Sequence, residues 1–262
     1  MSFSAPLGFI VSIIVIYFAV TYGIPSSKIF FDPHAAVIVI GGTLAAALIC
    51  FPMKHFFTLI KVYFRTVTGQ TEQATLDTIN EIVGLSQQQN EGAQLEQLAQ
   101  GKISNLFLKE SLDLVVQGGL SDEELVDVLD KRVELQNERY RREGNTYKII
   151  GKFPPAFGLV GTTLGMISLL QSLGSPNAFE RIGPAMSIAL VATFYGLILS
   201  NVVIIPVGEN LIQSSETDLI RRRIVVDGVR LLKEKKHPLL VEEHLKSYLS
   251  PSERNKMKRT AA

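Results

Sequence analysis

The stretch that decides the fold is Pro154-Pro155-Ala156-Phe157-Gly158-Leu159-Val160-Gly161-Thr162-Thr163-Leu164-Gly165-Met166, inside an apolar run from about Ile149 to Leu173. A run of that length crosses ~30 Å of hydrocarbon as a helix. Yet it places adjacent prolines, repeated glycines and a threonine pair where leucine would suit lipid better. Three comparable runs extend from about Pro6 to Gly23, Pro33 to Phe51 and Gly183 to Val207. With 47% hydrophobic residues and a mean hydropathy of +0.24, they predict an all-α integral membrane protein: four transmembrane helices with a helical cytoplasmic domain. No Lys or Arg precedes Lys28, and no small-x-small pattern closes the first run, so it reads as a retained helix rather than a signal peptide.

The basic residues set the topology. The connection between the first two runs holds only Lys28, and that between the last two only Arg181. Lys54, Lys61 and Arg65 follow the second run; Arg139, Arg141, Arg142 and Lys148 precede the third; Arg221, Arg222 and Arg223 follow the fourth. Cytoplasmic segments are the ones enriched in Lys and Arg, which places both termini and the long loop in the cytoplasm. The chain divides into residues 1–53 with the first two membrane helices, a cytoplasmic helical domain at 54–148, the second membrane pair at 149–207 and cytoplasmic C-terminal helices at 208–262.

Within the loop, Ser121-Asp122-Glu123-Glu124 has the form of a capping box. Leu125, Leu129 and Val133 then recur at helical spacing. No Gly or Pro interrupts before Gly144; the helix either continues as a rod towards the third span or packs on the tail as an ordinary amphipathic helix. Gln87-Gln88-Gln89-Asn90-Glu91-Gly92 reads as a polar turn between helices. In the tail, His237-Pro238 separates a helix with Ile220, Ile224 and Val229 as candidate core from a short last helix ending near Leu249. The basic residues from Arg254 onward read as a frayed end.

Several functions are excluded by composition. A net charge of +1 and no basic tract interleaved with aromatics argue against nucleic-acid binding. The lone Cys50 has no partner for a disulfide or a metal set. No nucleophile–base pair or phosphate-binding loop in a suitable context points to an enzyme, and no resident cofactor is implied.

No Asp, Glu or His lies deep in any span: Asp32 and His34 stand at the start of the second, and Glu209 lies just beyond the fourth. Ion carriers commonly hold an ionisable group inside the membrane. Small residues recur instead: Ala185, Ala189, Ala192, Gly196 and Ser200 in the fourth span, and Gly158, Gly161 and Gly165 in the third. They permit close helix contact. Thr162 and Thr193 bring hydroxyls to these faces, and Pro155 and Pro206 free backbone carbonyls; oxygen ligands suit a hard cation. Each feature also has a plain reading: a threonine bonding its own i−4 carbonyl, an ordinary proline kink, a packing face. In combination, uncharged small faces suit a chain that assembles around another protein's helix, one that brings the missing carboxylate, as a two-component ion channel.

The chain resembles the MotA/PomA family of flagellar motor stator subunits over nearly its whole length. The resemblance rests on Pro155-Ala156-Phe157-Gly158-Leu159-Val160-Gly161-Thr162, on Gly183-Pro184-Ala185-Met186 leading to Thr193-Phe194-Tyr195-Gly196 and Leu199-Ser200-Asn201, and on the tail run Pro238 to Leu249. It implies a homo-oligomeric, pentameric ring in the bacterial cytoplasmic (inner) membrane. The ring surrounds a MotB/PomB-type single-span partner whose aspartate binds the transported Na⁺ or H⁺, and the cytoplasmic loop acts on the flagellar rotor protein FliG. Carried over by position, Pro155 and Pro206 couple ion passage to movement, Thr162 and Thr193 belong to a sodium path, and Gly158 can offer a backbone oxygen. Threonine at 162 favours sodium, because Na⁺ needs several oxygens in place of its water; Ala192 departs from the paired threonines of sodium-driven relatives. Gln89 and Asn90 stand where the family has basic rotor-contact residues, and Glu96 or Gln97 where it has an acidic one, so Glu91, Glu96 and Lys102 are the substitute rotor contacts. The alternatives are an ExbB/TolQ-type energiser of outer-membrane processes, which usually has three spans, and a non-conducting membrane scaffold.

Overall fold

The computed structural model describes residues 4–22, 27–52, 73–174 and 178–254. Gly23, Lys54, Lys61, Arg65, the side chains of Lys28 and Arg181, and the tail beyond Arg254 lie outside the described residues. Every regular element described is helical. The chain folds as two compact units, one from Gln70–Tyr140 with Gln213–Ala262, the other from Ser2–Gly69 with Arg141–Ile212.

The first unit holds α3 (Gln73–Asn90), α4 (Leu95–Ala99), α5 (Leu106–Gln117), the first part of α6 (Asp122–Ile150), the end of α9 (Ile205–Lys233) and α10 (Pro238–Lys246). The capping box at the start of α6 forms as read: the Ser121 amide donates to Glu124 Oε2 at 2.9 Å, and the Glu124 amide donates to Ser121 Oγ at 3.2 Å. These bonds hold the Glu124 carboxyl below its ordinary value. Asn105 caps α5 by accepting from the amides of Phe107 and Leu108 at 3.0 and 3.2 Å. Leu125, Leu129 and Val133 are buried with Ile79, Ile82, Leu108, Leu112, Ile224, Val229 and Leu245 in one apolar core. At Gly228 a Cβ would meet Ile82 Cδ1 at 2.8 Å, so α9 and α3 touch too closely there for any side chain. Tyr248 fixes the tail by donating to Asp227 Oδ2 at 2.6 Å. Burial and that bond push its phenol up to about 12.

Three expectations change here. Gln87–Asn90 is the last turn of α3, not a loop; glutamine is a good helix former, and the helix stops only at Gly92, φ +107°. There the Ala93 amide returns to the Gln88 carbonyl and the Gly92 amide to Gln89, the Schellman closure that a left-handed glycine permits. Ile220 is 43% exposed whereas Ile224 and Val229 are fully buried. Four residues make slightly more than one turn, so a face read from spacing drifts around the helix axis. Arg254 is anchored rather than frayed, its Nε donating to the Leu249 carbonyl at 3.0 Å.

The second unit is the membrane unit. It contains α1 (Ser4–Thr21), α2 (Pro33–Cys50, with a π turn over Val37–Gly41), the end of α6, α7 (Phe153–Ser172), α8 (Ala178–Ile198), a π turn over Leu199–Ile204 and the start of α9. The helical stretches Pro33–Cys50, Asp122–Ser172 and Ile182–Lys233 are each long and apolar enough to cross a bilayer; the apolar part of α1, Leu7–Thr21, is shorter. Leu7, Ile10, Val11, Ile13, Ile14, Val15, Tyr17 and Phe18 are all more than half exposed. A helix apolar on every side requires a lipid or protein neighbour. Between α6 and α7 the helix is broken only at Gly151–Lys152, so the rod reading holds as far as Ile150.

Pro155 sits in the first turn of α7, beside Pro154. It is therefore not an ordinary proline kink: the first-turn amides of a helix have no intrahelical acceptor, and proline there gives nothing up. Pro206 is the second residue of α9, directly after the π turn, where the Ile205 amide reaches back five residues to the Ser200 carbonyl. The regular i−4 ladder is interrupted there.

Candidate functional site

The site is built by the contact of α7 with α8. Gly158, Gly161 and Gly165 are all buried on α7, and Ala185, Ala189, Ala192, Gly196 and Ser200 are all buried along α8 and the π turn that follows. They face each other. A Cβ on Gly161 would lie 2.5 Å from Ala192 Cβ, one on Gly165 2.7 Å from Ala189 Cβ, and one on Gly196 2.5 Å from the Pro154 carbonyl. The small faces are thus consumed by packing within the chain, which corrects the expectation that they receive another protein's helix. The two backbones approach without intervening side chains, and that proximity brings polar atoms of both helices together.

Thr162 Oγ1 lies 3.1 Å from its own i−4 carbonyl, Gly158, and 3.0 Å from the Ala189 carbonyl of α8. It also lies 2.5 Å from Thr193 Oγ1. Thr193 in turn lies 3.4 Å from the Gly158 carbonyl and 3.5 Å from that of Ala189. Four oxygens converge with two hydroxyl protons to share among them. The remaining lone pairs make the cluster electron-rich, the character a hard cation seeks. The plain reading of Thr162 and the functional one are therefore both geometrically present. Thr163 points away, exposed, and bonds the Val160 carbonyl.

Sequence reasoning picked out Thr162, Thr193 and Gly158, which the fold brings together, and missed Ala189. A backbone carbonyl leaves no mark in composition; only the register of Gly165 on Ala189 would have pointed to it. Two further polar ties were also missed. Ser200 Oγ donates to the Gly151 carbonyl at 2.5 Å, tying the π turn after α8 to the break between α6 and α7. Tyr195 donates to the Phe30 carbonyl and accepts from the Asp32 amide at 3.3 Å, holding the start of α2 against α8. Asp32 caps α2 through the amides of His34 and Ala35 at 2.8 and 3.0 Å. On α2, Gly42 lies under the Phe157 ring, where a Cβ would come within 2.2 Å. In the first unit, Glu91 lies in the turn after α3, Glu96 in the first turn of α4 and Lys102 in the loop that follows; all three are exposed.

These features define an all-helical integral membrane protein with a half-buried oxygen cluster at the contact of two helices. The MotA/TolQ/ExbB proton channel family matches residues 99–224. The chemotaxis protein PomA of Vibrio alginolyticus is 31% identical over 97% of this chain and 98% of its own length. The flagellar MotAB stator complex from Bacillus subtilis contains a chain of the same fold, with a TM-score of 0.85 and 24% identity over 95% of this chain and 97% of that one. A C. jejuni MotAB chain superposes with a TM-score of 0.83 at 20% identity, over 96% and 97%. The chain belongs to the MotA/PomA family, whose members are ion-channel subunits and not enzymes.

Proposed function

We propose that the protein is the ring-forming stator subunit of a flagellar motor in the bacterial inner membrane. With a MotB/PomB-type single-span partner it conducts ions and turns their flow into torque on the rotor. The observation that carries this reading is the cluster of Thr162, Thr193, Gly158 and Ala189 oxygens in spans that contain no carboxylate of their own. Such a cluster can replace water around a cation passing between this chain and a partner aspartate. A proton needs only the carboxylate, so the oxygen cluster favours Na⁺ as the coupling ion. All four helical segments span in this reading, α1 included, both termini are cytoplasmic, and Pro155 and Pro206 transmit the ion-driven movement. Glu91, Glu96 and Lys102 are exposed and offer the charges that meet the rotor protein FliG.

The PomA relative, matched over 98% of its length, supports a stator over an ExbB/TolQ-type energiser. The test is swimming speed, and ion flux with a coexpressed partner, across a sodium series at fixed proton motive force. Speed and flux rise with sodium if the assignment is right, and sodium-indifferent motility refutes it. Thr162→Ala and Thr193→Ala lower flux; if both leave it intact, the scaffold reading wins. Pro155→Ala lowers torque without loss of assembly, and a fully active variant would count against the coupling role.

A further inference from the structure

Where α6 meets α9 at the end of the membrane unit, two glycines pack against each other's backbone. A Cβ on Gly208 would lie 2.8 Å from the Gly144 carbonyl and 2.9 Å from Tyr147 Cβ; one on Gly144 would lie 2.9 Å from the Gly208 carbonyl and 2.5 Å from Ile212 Cγ1. The two glycines face each other backbone to backbone. About two turns beyond Gly144, just past the end of α6, a Cβ on Gly151 would lie 2.6 Å from Ile205 Cγ1. Beside the glycines, Lys148 Nζ pairs with Glu209 Oε1 at 2.8 Å. Lys148 and Glu209 are the neighbours of the contact on the two helices, so opposite charges fix its rotation while the glycines fix its separation.

The position of this contact matters. At its membrane end both helical segments abandon the regular ladder: α6 breaks at Gly151–Lys152 before Pro154–Pro155, and α8 passes through the π turn Leu199–Ile204 before Pro206. Ser200 ties the two irregular segments by donating to the Gly151 carbonyl. Breaks in the helical ladder are where a helix bends most easily. A bend at only one of them would tilt one long helix against the other.

Resting on the stator reading above, we propose that Gly144, Gly208 and the Lys148–Glu209 pair form a clamp that makes α6 and α9 move as one body when the two breaks flex. They are positioning residues, remote from the ion, and they convert ion-driven bending into torque. The clamp predicts a dissociation of torque from flux. Interrupting it leaves ions flowing but lets the helices slip.

The experiment uses the full chain coexpressed with its partner in cells lacking their own stator. It measures membrane level, sodium-dependent ion flux and stall torque of tethered cells. Lys148→Glu and Glu209→Lys each place like charges together, and each is expected to lower torque per unit of flux about threefold, while the double exchange restores it to within about twofold of wild type. Gly208→Ala, whose new methyl meets backbone that cannot rotate away, is expected to act like the single charge variants. Gly84→Ala, where a Cβ meets nothing within 4 Å, leaves both readouts unchanged. Torque falling only in proportion to flux or to membrane level, or a double exchange no better than its singles, overturns the clamp. Absence of flux in the wild-type complex overturns the stator reading itself and the clamp with it, whereas normal flux with unaltered torque in all variants overturns the clamp alone.

Discussion

Gly161→Ala tests the α7–α8 contact most directly. The added methyl would lie 2.5 Å from Ala192 Cβ, with Ile38 Cγ2 at 3.7 Å and Ala192 Cα at 3.9 Å in ordinary contact. Two carbons rest at about 3.5–4.0 Å, so the helices must part by roughly 1 Å, an overpacking that costs about 1–3 kcal/mol. The same movement would carry Thr162 Oγ1 away from the Ala189 carbonyl, now at 3.0 Å, past the limit of a hydrogen bond. Flux should therefore fall along with stability. Ala192→Gly removes the obstructing methyl. Alone it loses about 0.5–1 kcal/mol of helix preference and about 0.8 kcal/mol of burial. In Gly161→Ala/Ala192→Gly the methyl has only changed helices, so the double variant should lie within about 1 kcal/mol of wild type. Thermal melts of the purified complex, with flux measured in parallel, give the cycle. A double variant as unstable as the sum of its singles would refute the facing register.

Three further outcomes follow from the first unit. Ile224→Ala, fully buried, should cost about 2–5 kcal/mol by thermal melt, against little for Ile220→Ala at 43% exposure; equal losses would mean that the α9 face is misassigned. Lys235, φ 53°, stands in the left-handed position that closes α9, with the Lys236 amide returning to the Leu231 carbonyl, so Lys235→Gly should raise stability by about 1 kcal/mol, and a loss would contradict the backbone geometry. The Glu124 carboxyl is held below its ordinary value of 4.5 by the Ser121 bonds. Its contribution is complete above that value and disappears as pH falls through the lowered one, so wild type and Glu124→Gln should differ in melting temperature at neutral pH and converge in acid.

Much of this was legible in the sequence wherever a local signal determined the outcome. The capping box at Ser121 and the Leu125–Leu129–Val133 stripe need only helix geometry to interpret. The small faces of α7 and α8 were legible as contact faces, but not their partner: a glycine is the same letter whether it meets its own chain or another's. The end of α3 was misplaced because polarity at Gln87–Asn90 resembles a loop, whereas the helix is ended by the left-handed backbone of Gly92. The plain reading of Pro155 as an ordinary kink fails because an apolar run does not reveal that one helix ends at Ile150 and another begins at Phe153. At the site, the two hydroxyls were visible as residue types, while the Ala189 carbonyl became a member only through the pairing of helices distant in the chain.

The notch at Gly42 has a consequence for how the protein is made. The ring that fills it, Phe157, lies roughly a hundred residues further along the chain, and at synthesis rates of about 5–20 residues per second it emerges on the order of ten seconds later. Throughout that interval α2 sits in the bilayer with its small-residue face unfilled. Its buried positions Ala35, Val39 and Ala47 are then available to any helix that passes. The long loop between the membrane pairs therefore imposes a waiting period on insertion, ended only when α7 brings Phe157 to Gly42 and α8 brings Val191 and Ala192 over Ala35 and Val39.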